Sequence, residues 1–500
     1  MAMQGETLAT GARRAGAAAG NGPSREAGPP WRVGFESLET EIAASRELEV
    51  KGELPAELRG TLYRNGPARH ELGGQRLASW FDGDGMVHAL AIAGGRITYK
   101  NRFVRTPGHD EETSRGKRLY GGFASRIPGG PLTRFARRNH RKNPANTNVV
   151  SHAGKLLALC EGGRPYHLDA ETLETLGEDD MGGALEGDRA TYSAHPHFDR
   201  DTGELWNFGV TYGRKTTVDL YCTTRTGQTA LRARVPLPAA AMIHDFALTR
   251  TKAIVVVAPI VLPTIPLGLM LGQKSYADSL RYRPELGVRI AIVDRATAET
   301  RWLETDPFVL FHIVNAWDEG EDAVVDVAAY PDATIMQAIR DLMVGRTPTS
   351  AAARPERLRI SRRGVTRTRL SETTLEFPRV WSRVEGKEHS RIYGVAWTEG
   401  TGLIGTPVAI DLATGQTSTP ATWRKTEITG ELVPVSKAGA TSEKDVWLLA
   451  LVLDAASRTT ELRVLDGADL AAPPVATARL PHVVPLGFHG NWVAVPAPQA

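Results

Sequence analysis

The chain reads as an all-β protein built as a β-propeller, and three observations lead there. It holds 50 glycines and 31 prolines in 500 residues, a supply of turn-formers that favours many short strands over long helices. From Trp31 onward, short apolar-periodic runs alternate with turn signals. A turn motif also recurs: Asp169-Ala-Glu-Thr172-Leu-Glu174-Thr175, Asp294-Arg-Ala-Thr297-Ala-Glu299-Thr300 and Asp411-Leu-Ala-Thr414-Gly-Gln416-Thr417, with a looser copy at Asp199-Arg-Asp-Thr202. Asp and Thr side chains bond nearby backbone amides and so close tight turns between antiparallel strands. Hairpins repeated over most of a long chain are what radially packed blades produce. With no Pro/Gly/Ser-rich linker to divide it, residues 31–500 form one domain.

Ahead of that domain, residues 1–30 are rich in Ala and Gly, carry Arg13, Arg14 and Arg25, and end in Pro29-Pro30. They lack the apolar core of a secretory signal and are expected to be a disordered tail. Residues 333–344 break the strand pattern: Ile335, Met336, Ile339, Leu342 and Met343 follow helical spacing, predicting an amphipathic helix that packs on the propeller. The run from Ile254 to Leu271 is almost wholly apolar. Its start reads as a buried strand, whereas Pro259, Pro263 and Pro266 argue against a regular element beyond it. Such a segment either packs under other structure or meets a membrane surface. Basic clusters at Arg134–Lys142 and Arg354–Arg369 fit solvated loops or contact with anionic lipid equally well.

Composition excludes several classes. Charged residues balance to +3, so no strong field recommends nucleic acid. Cys160 and Cys222 are the two cysteines, too few for a disulfide framework or a thiolate zinc site. No apolar run reaches the roughly 18–20 residues that span a membrane. These features together lead us to expect a cytoplasmic protein with at most peripheral membrane contact.

Of the 13 histidines, four interrupt or end apolar runs: His195 in Ser193-Ala-His-Pro196, His244 in Ile243-His-Asp-Phe246, His312 in Phe311-His-Ile-Val-Asn315 and His489 in Gly487-Phe-His-Gly490. A lone buried histidine is more often a satisfied core residue than a ligand. In a propeller, however, inner strands converge on one axis, so distant histidines can meet there, and neutral imidazoles suit Fe, Zn, Cu and Ni. The pair Asp82-Gly-Asp84-Gly reads as a tight turn and not a calcium loop, because the other acidic ligand positions are missing.

The run Gly52-Glu-Leu-Pro55 through Arg64-Asn-Gly-Pro67, followed by Trp80-Phe-Asp-Gly-Asp-Gly-Met86-Val-His88, resembles the carotenoid cleavage oxygenase family. Asn146-Thr-Asn148, Leu156-Leu-Ala-Leu-Cys-Glu161-Gly-Gly, the four histidine contexts, Phe311-His312-Ile-Val-Asn-Ala-Trp317 and Glu376-Phe-Pro378 continue the resemblance in the family's order over residues 35–495. It implies seven blades with a dome of loops and helices over one face. It also implies one Fe(2+) per chain, held by His195, His244, His312 and His489, with O2 as co-substrate. Glu161, Glu376 and Glu431 are implied as carboxylates that orient the imidazoles, since a carboxylate on the outer ring N–H fixes the tautomer and raises ligand basicity. Thr147 is implied beside an open iron position and Phe311 in the substrate tunnel; both also read as core residues. The other nine histidines are read as structural or surface residues.

The implied activity is oxidative cleavage of a conjugated C=C bond to two carbonyl products, with no acid or base residue required and none nominated. A lipophilic polyene, an apocarotenoid or carotenoid, is favoured as substrate, giving retinal-type aldehydes. The alternative is a hydroxylated stilbene, whose cleaving relatives carry a lysine where this chain has Cys160, directly before Glu161. An iron-free binding scaffold and an iron-dependent retinoid isomerase are the readings from other classes. Neither nucleic acid nor an obligate protein partner is implied.

Overall fold

The computed structural model describes residues 29–187, 190–213, 215–348, 351–398 and 403–495. Apart from Pro29 and Pro30 the expected N-terminal tail lies outside them, and Pro30 already opens a 3-10 turn, Pro30–Phe35. Seven antiparallel sheets of four to six strands are present among the described residues. In chain order we number them blades 1 to 7, and each has one strand next to the axis. These inner strands are Gly490–Ala494, Asn148–His152, His197–Asp199, Ala247–Leu248, Val309–Glu319 and Glu376–Arg379 for blades 1 to 6, with Glu427–Thr429 and Val433–Ser436 sharing that place in blade 7.

Both ends of the chain close the ring. Gly490–Ala494 pairs with Gly60–Arg69 as the innermost strand of blade 1, and Val50–Gly52 pairs with Ala476–Arg479 as the outermost strand of blade 7. The core is divided in the same way, with one apolar cluster between each pair of neighbouring blades. Phe208, Val218 and Leu220 of blade 3, for example, meet Ala253 and Val255 of blade 4, while Leu62 and Leu90 of blade 1 meet Leu449 and Leu462 of blade 7. Burial of this kind, at about 25 cal/mol per Å² of apolar surface, is the main favourable term holding blade to blade.

The turn repeat has the predicted chemistry. Asp169 Oδ1 accepts from the amides of Glu171 and Thr172, Asp294 Oδ1 from those of Ala296 and Thr297, and Asp411 Oδ1 from that of Thr414. These three turns join the third and fourth strands of blades 2, 4 and 6. The looser copy at Asp199 joins the first and second strands of blade 3, a different place in the blade.

Three long excursions form the dome: 104–147 between blades 1 and 2, 258–287 within blade 4, and 331–353 within blade 5. The predicted helix spans Thr334–Met343 in the third. Its Ile335 and Ala338 pack with Phe311 and Tyr330, and its Met343 with Trp31 and Phe35.

Two expectations are corrected. Beyond the strand Lys252–Val257, the proline-punctuated run does form short elements: Ile260–Val261 pairs with Arg281–Tyr282, and Leu267–Met270 makes one helical turn. Pro266 stands at the cap of that turn, where its missing N–H costs nothing. The basic cluster Arg354–Arg369 is not a solvated loop but two strands of blade 5. There Arg357 pairs with Asp326, and Arg367 and Arg369 pair with Glu356.

Candidate metal centre

The site follows from the ring of blades. At or near the axial start of each blade's inner strand stands one polar residue: His489, Thr147, His195, His244, His312, Glu376 and Glu431 for blades 1 to 7. Residues up to 342 apart in sequence thus meet because propeller topology brings every inner strand to one axis.

The four imidazoles form one cluster. Ring centroids of His195 lie 4.3, 5.3 and 4.8 Å from those of His244, His312 and His489. His244 and His489 are 5.2 and 5.1 Å from His312. Ligand atoms of His195, His244 and His312 lie within 4.8 Å of one another, and Nε2 of His312 faces Nε2 of His489 at 3.3 Å.

Carboxylates determine which nitrogens turn inward. Glu376 Oε2 lies 2.5 Å from His312 Nδ1 and Glu431 Oε1 lies 3.0 Å from His489 Nδ1. A carboxylate accepts, so each Nδ1 carries the proton and each Nε2 presents a lone pair. Glu161 behaves differently. Its Oε1 stands 3.2 Å from His244 Nδ1 and 3.4 Å from His195 Nε2, aligned as a hydrogen bond with neither. Glu161 follows the second strand of blade 2 and is a third exposed, whereas Glu376 and Glu431 are buried.

The two buried carboxylates are held ionised by different means. Burial opposes the charge on Glu376, but His312, the Tyr330 hydroxyl at 2.6 Å and the Phe377 amide outweigh it and lower its pKa. Burial likewise opposes charge on Glu431. Arg379, His489 and Arg64 overcome it and hold this carboxyl well below the ordinary range. Arg64 Nη1 donates to Glu431 Oε2 at 3.0 Å, and the Gly490 amide donates to the same oxygen at 2.9 Å.

The imidazoles respond in turn. Burial, reinforced by neighbouring histidines, pushes His195 and His244 well below their ordinary value. Burial also lowers His489 despite Glu431, and His312 alone is raised, because Glu376 outweighs burial. Neutral imidazoles are the ligating form.

A cation fits this set. Two Nε2 lone pairs confront each other across 3.3 Å, and the buried Nε2 of His195 has no hydrogen-bond partner among the described residues. Ligands about 2.1 Å from one ion on adjacent octahedral corners stand about 3 Å apart, close to that spacing. All-imidazole donors suit Fe, Zn, Cu and Ni and not Mg or Ca.

Thr147 adjoins the cluster directly. Its carbonyl accepts the His489 amide at 3.1 Å, and its hydroxyl donates to Asn146 Oδ1 at 3.0 Å. Phe311 packs edge-on against His244 at 5.1 Å. On the dome side it shares an apolar cluster with Tyr330, Phe123, Met242, Tyr276 and Met336. Below the histidines, a polar cavity of about 100 Å³ runs along the axis past His197, Asp245, Asn315, Arg379 and Glu385.

Sequence reading placed the four histidines, Glu161, Glu376, Glu431, Thr147 and Phe311 in this cluster, and the structure brings them together, with Glu161 near His244 and His195 but hydrogen-bonded to neither. It missed Phe377, whose ring lies 5.2 Å from His312 and 5.3 Å from His489 and whose backbone takes the left-handed φ of +47°. Such a φ is strained for an aromatic residue and is held only by tight surroundings. It also missed Arg64, Tyr330, Arg379, Asp245 and His197. Of the missed residues, Arg64, Phe377 and Asp245 had a signal, since each stands within one of the quoted motifs. Asp82 and Asp84 are not ligands: Asp82 accepts the Ala124 and Ser125 amides, and Asp84 pairs with Arg69 and Lys142.

A seven-bladed propeller with four imidazoles on its axis defines a protein class, and the comparisons agree. A family profile described as RPE65, retinal pigment epithelial membrane protein, matches residues 35–494. The chain belongs to this carotenoid cleavage oxygenase family of oxidoreductases. It is 31% identical to the apocarotenoid-15,15'-oxygenase of Synechocystis sp. over 94% of this chain and 98% of that protein. It is 29% identical to the isoeugenol monooxygenase of Pseudomonas putida, over 89% and 94% of the two chains. The structure of cobalt-substituted Synechocystis apocarotenoid oxygenase superposes with a TM-score of 0.87 at 30% identity, covering 93% of this chain and 98% of that one.

Proposed function

We propose that this protein is a non-haem Fe(II) dioxygenase that cleaves a conjugated C=C bond of an apocarotenoid or carotenoid, giving retinal-type aldehydes. The observation that carries the reading is the meeting of four imidazoles on the axis, two with their outer nitrogens on buried carboxylates, beneath an aromatic wall. His195, His244, His312 and His489 would hold one Fe(II) per chain. When bound, the iron supplies activation of dioxygen, so that one C=C and one O2 become two C=O.

The chain's own residues supply position and exclusion. Glu376 and Glu431 fix the tautomers of His312 and His489, and Glu161 lies against His244 and His195. Phe311 and the apolar dome cluster line the approach to the rings and keep water from it. The substrate class is supported by position 160. The Cys160 thiol is buried, which pushes it up to about 12. It offers no cation for a phenol oxygen, unlike the lysine of stilbene-cleaving relatives. The hydroxyls of Tyr212 and Tyr276 are bonded to each other at 2.6 Å, and Tyr212 donates onward to the Ala241 carbonyl.

Delivery of such a substrate fits one surface. Leu132 is 86% and Ile265 70% exposed, with Phe135, Leu267 and Met270 also exposed beside them. The helix Pro131–Arg137 and the turn Leu267–Met270 adjoin: Gln273 Nε2 donates to Pro131 O at 3.1 Å, and Gly272 (φ +71°) lies so close to the Arg134 carbonyl that any side chain would clash. With Arg134, Arg137, Arg138 and Lys274 nearby, this patch supports peripheral contact with an anionic membrane. No helix of the described residues is long and apolar enough to cross a membrane.

The test is a competition under air between an apocarotenal and a phenolic alkene such as a hydroxystilbene or isoeugenol, with product masses read afterwards. Retinal-type fragments with the phenolic alkene intact are expected. Aromatic aldehydes alone would move the protein to aromatic alkene cleavage. Folded protein that takes up no iron and forms neither product would overturn the oxygenase reading.

A further inference from the structure

Asp245 directly follows His244 in the chain. It is buried, and its two oxygens take three hydrogen bonds. Oδ2 accepts the Ile313 amide at 2.7 Å, and Oδ1 accepts the Phe246 amide at 2.8 Å. Oδ1 also accepts from His197 Nε2 at 2.9 Å. Ile313 is the neighbour of His312, and His197 stands two residues beyond His195. One carboxylate therefore joins the ligand-bearing segments of blades 3, 4 and 5. The remaining ligand, His489, is fixed apart from this system by Thr147 and Glu431.

We propose that Asp245 is a positioning residue that sets the spacing of His195, His244 and His312 around the metal. The proposal rests on reading the four histidines as the metal site. Chemistry requires a carboxylate here, because all three partners are donors and only an acceptor-only group satisfies them together. An amide in its place would turn an N–H against one donor and leave a buried group unpaired. Metal centres are sensitive to such outer partners, whose loss typically lowers metal affinity about 10- to 100-fold.

The experiment titrates Co(II) into metal-free wild type, Asp245→Asn and His197→Phe, recording affinity and the visible d–d spectrum, with circular dichroism to verify folding. His197→Phe retains an aromatic ring against Phe246, now 5.0 Å from the His197 ring, while releasing only blade 3. Asp245→Asn is expected to bind Co(II) about 10- to 100-fold more weakly with a shifted spectrum. His197→Phe is expected to shift the spectrum with a smaller loss of affinity. Wild-type affinity and an unchanged spectrum in both variants would overturn the proposal. Should Asp245→Asn fail to fold, an unchanged His197→Phe would overturn it alone. Wild type that binds no Co(II) would instead overturn the metal site itself, an outcome visible before any variant is measured.

Discussion

Nε2 of His312 and Nε2 of His489 face each other at 3.3 Å while the Nδ1 of each is held by its own buried glutamate. With each Nδ1 turned outward to a carboxylate, both Nε2 atoms point inward, where one cation can take them together. The same relationship makes the outer glutamates indirect determinants of metal affinity. Glu376→Gln is expected to lower iron retention against a chelator about 10- to 100-fold, whereas His312→Ala should abolish it. Metal analysis after dialysis measures both.

Arg64 provides a stability prediction. It is buried, donates to Glu431 Oε2 and to the Phe488 carbonyl, and thereby ties blade 1 to blade 7 at the metal site. Arg64→Met leaves the Glu431 charge with Arg379 at 3.7 Å as its remaining guanidinium. Removing one partner of a buried ion pair costs about 3–5 kcal/mol. Urea unfolding should place this variant near the lower end, because Arg379 compensates in part.

Asp84 sets a pH dependence away from the metal. Burial would raise its carboxyl, but Lys142 and Arg69 outweigh burial and hold it below the ordinary value. A depressed carboxyl stabilises the fold above its unfolded pKa of about 3.9, and that contribution is lost as pH falls through the lower folded value. Wild type should therefore exceed Asp84→Asn in stability by a constant margin above about pH 5. The margin should shrink below about pH 4, as denaturant midpoints across pH would record.

The exposed dome patch predicts a separation of binding from folding. Leu132→Glu combined with Ile265→Glu should reduce co-sedimentation with anionic vesicles several-fold. Thermal unfolding should be unchanged, because both side chains are already in solvent. Equal vesicle binding by the variant would remove this patch from the account.

What could be read in advance follows from the range of the interactions. The Asp-x-x-Thr turns were legible because they close within three residues, through bonds such as Asp294 Oδ1 to the Thr297 amide. Among the described residues, blades 2, 4 and 6 alone carry this turn between their outer strands, so the repeat implied a propeller without counting its blades. The histidines were legible as interruptions of apolar runs, and the family resemblance joined them. Pairings such as Arg64 with Glu431, separated by 367 residues, or His197 with Asp245, separated by 48, have no local pattern to announce them. Half of the exposed patch was hidden for another reason. Leu132 and Phe135 sit on a seven-residue helix within a basic stretch, and no residue of that helix is buried.

The most direct test of the central claim is iron content measured together with cleavage. Purified protein should take up one Fe(II) per chain and convert an apocarotenal to two shorter carbonyl products only when both iron and O2 are supplied. His489→Ala should lose both properties while keeping its propeller fold by circular dichroism. Cleavage that persists without iron, or a folded wild type that binds none, would contradict the account.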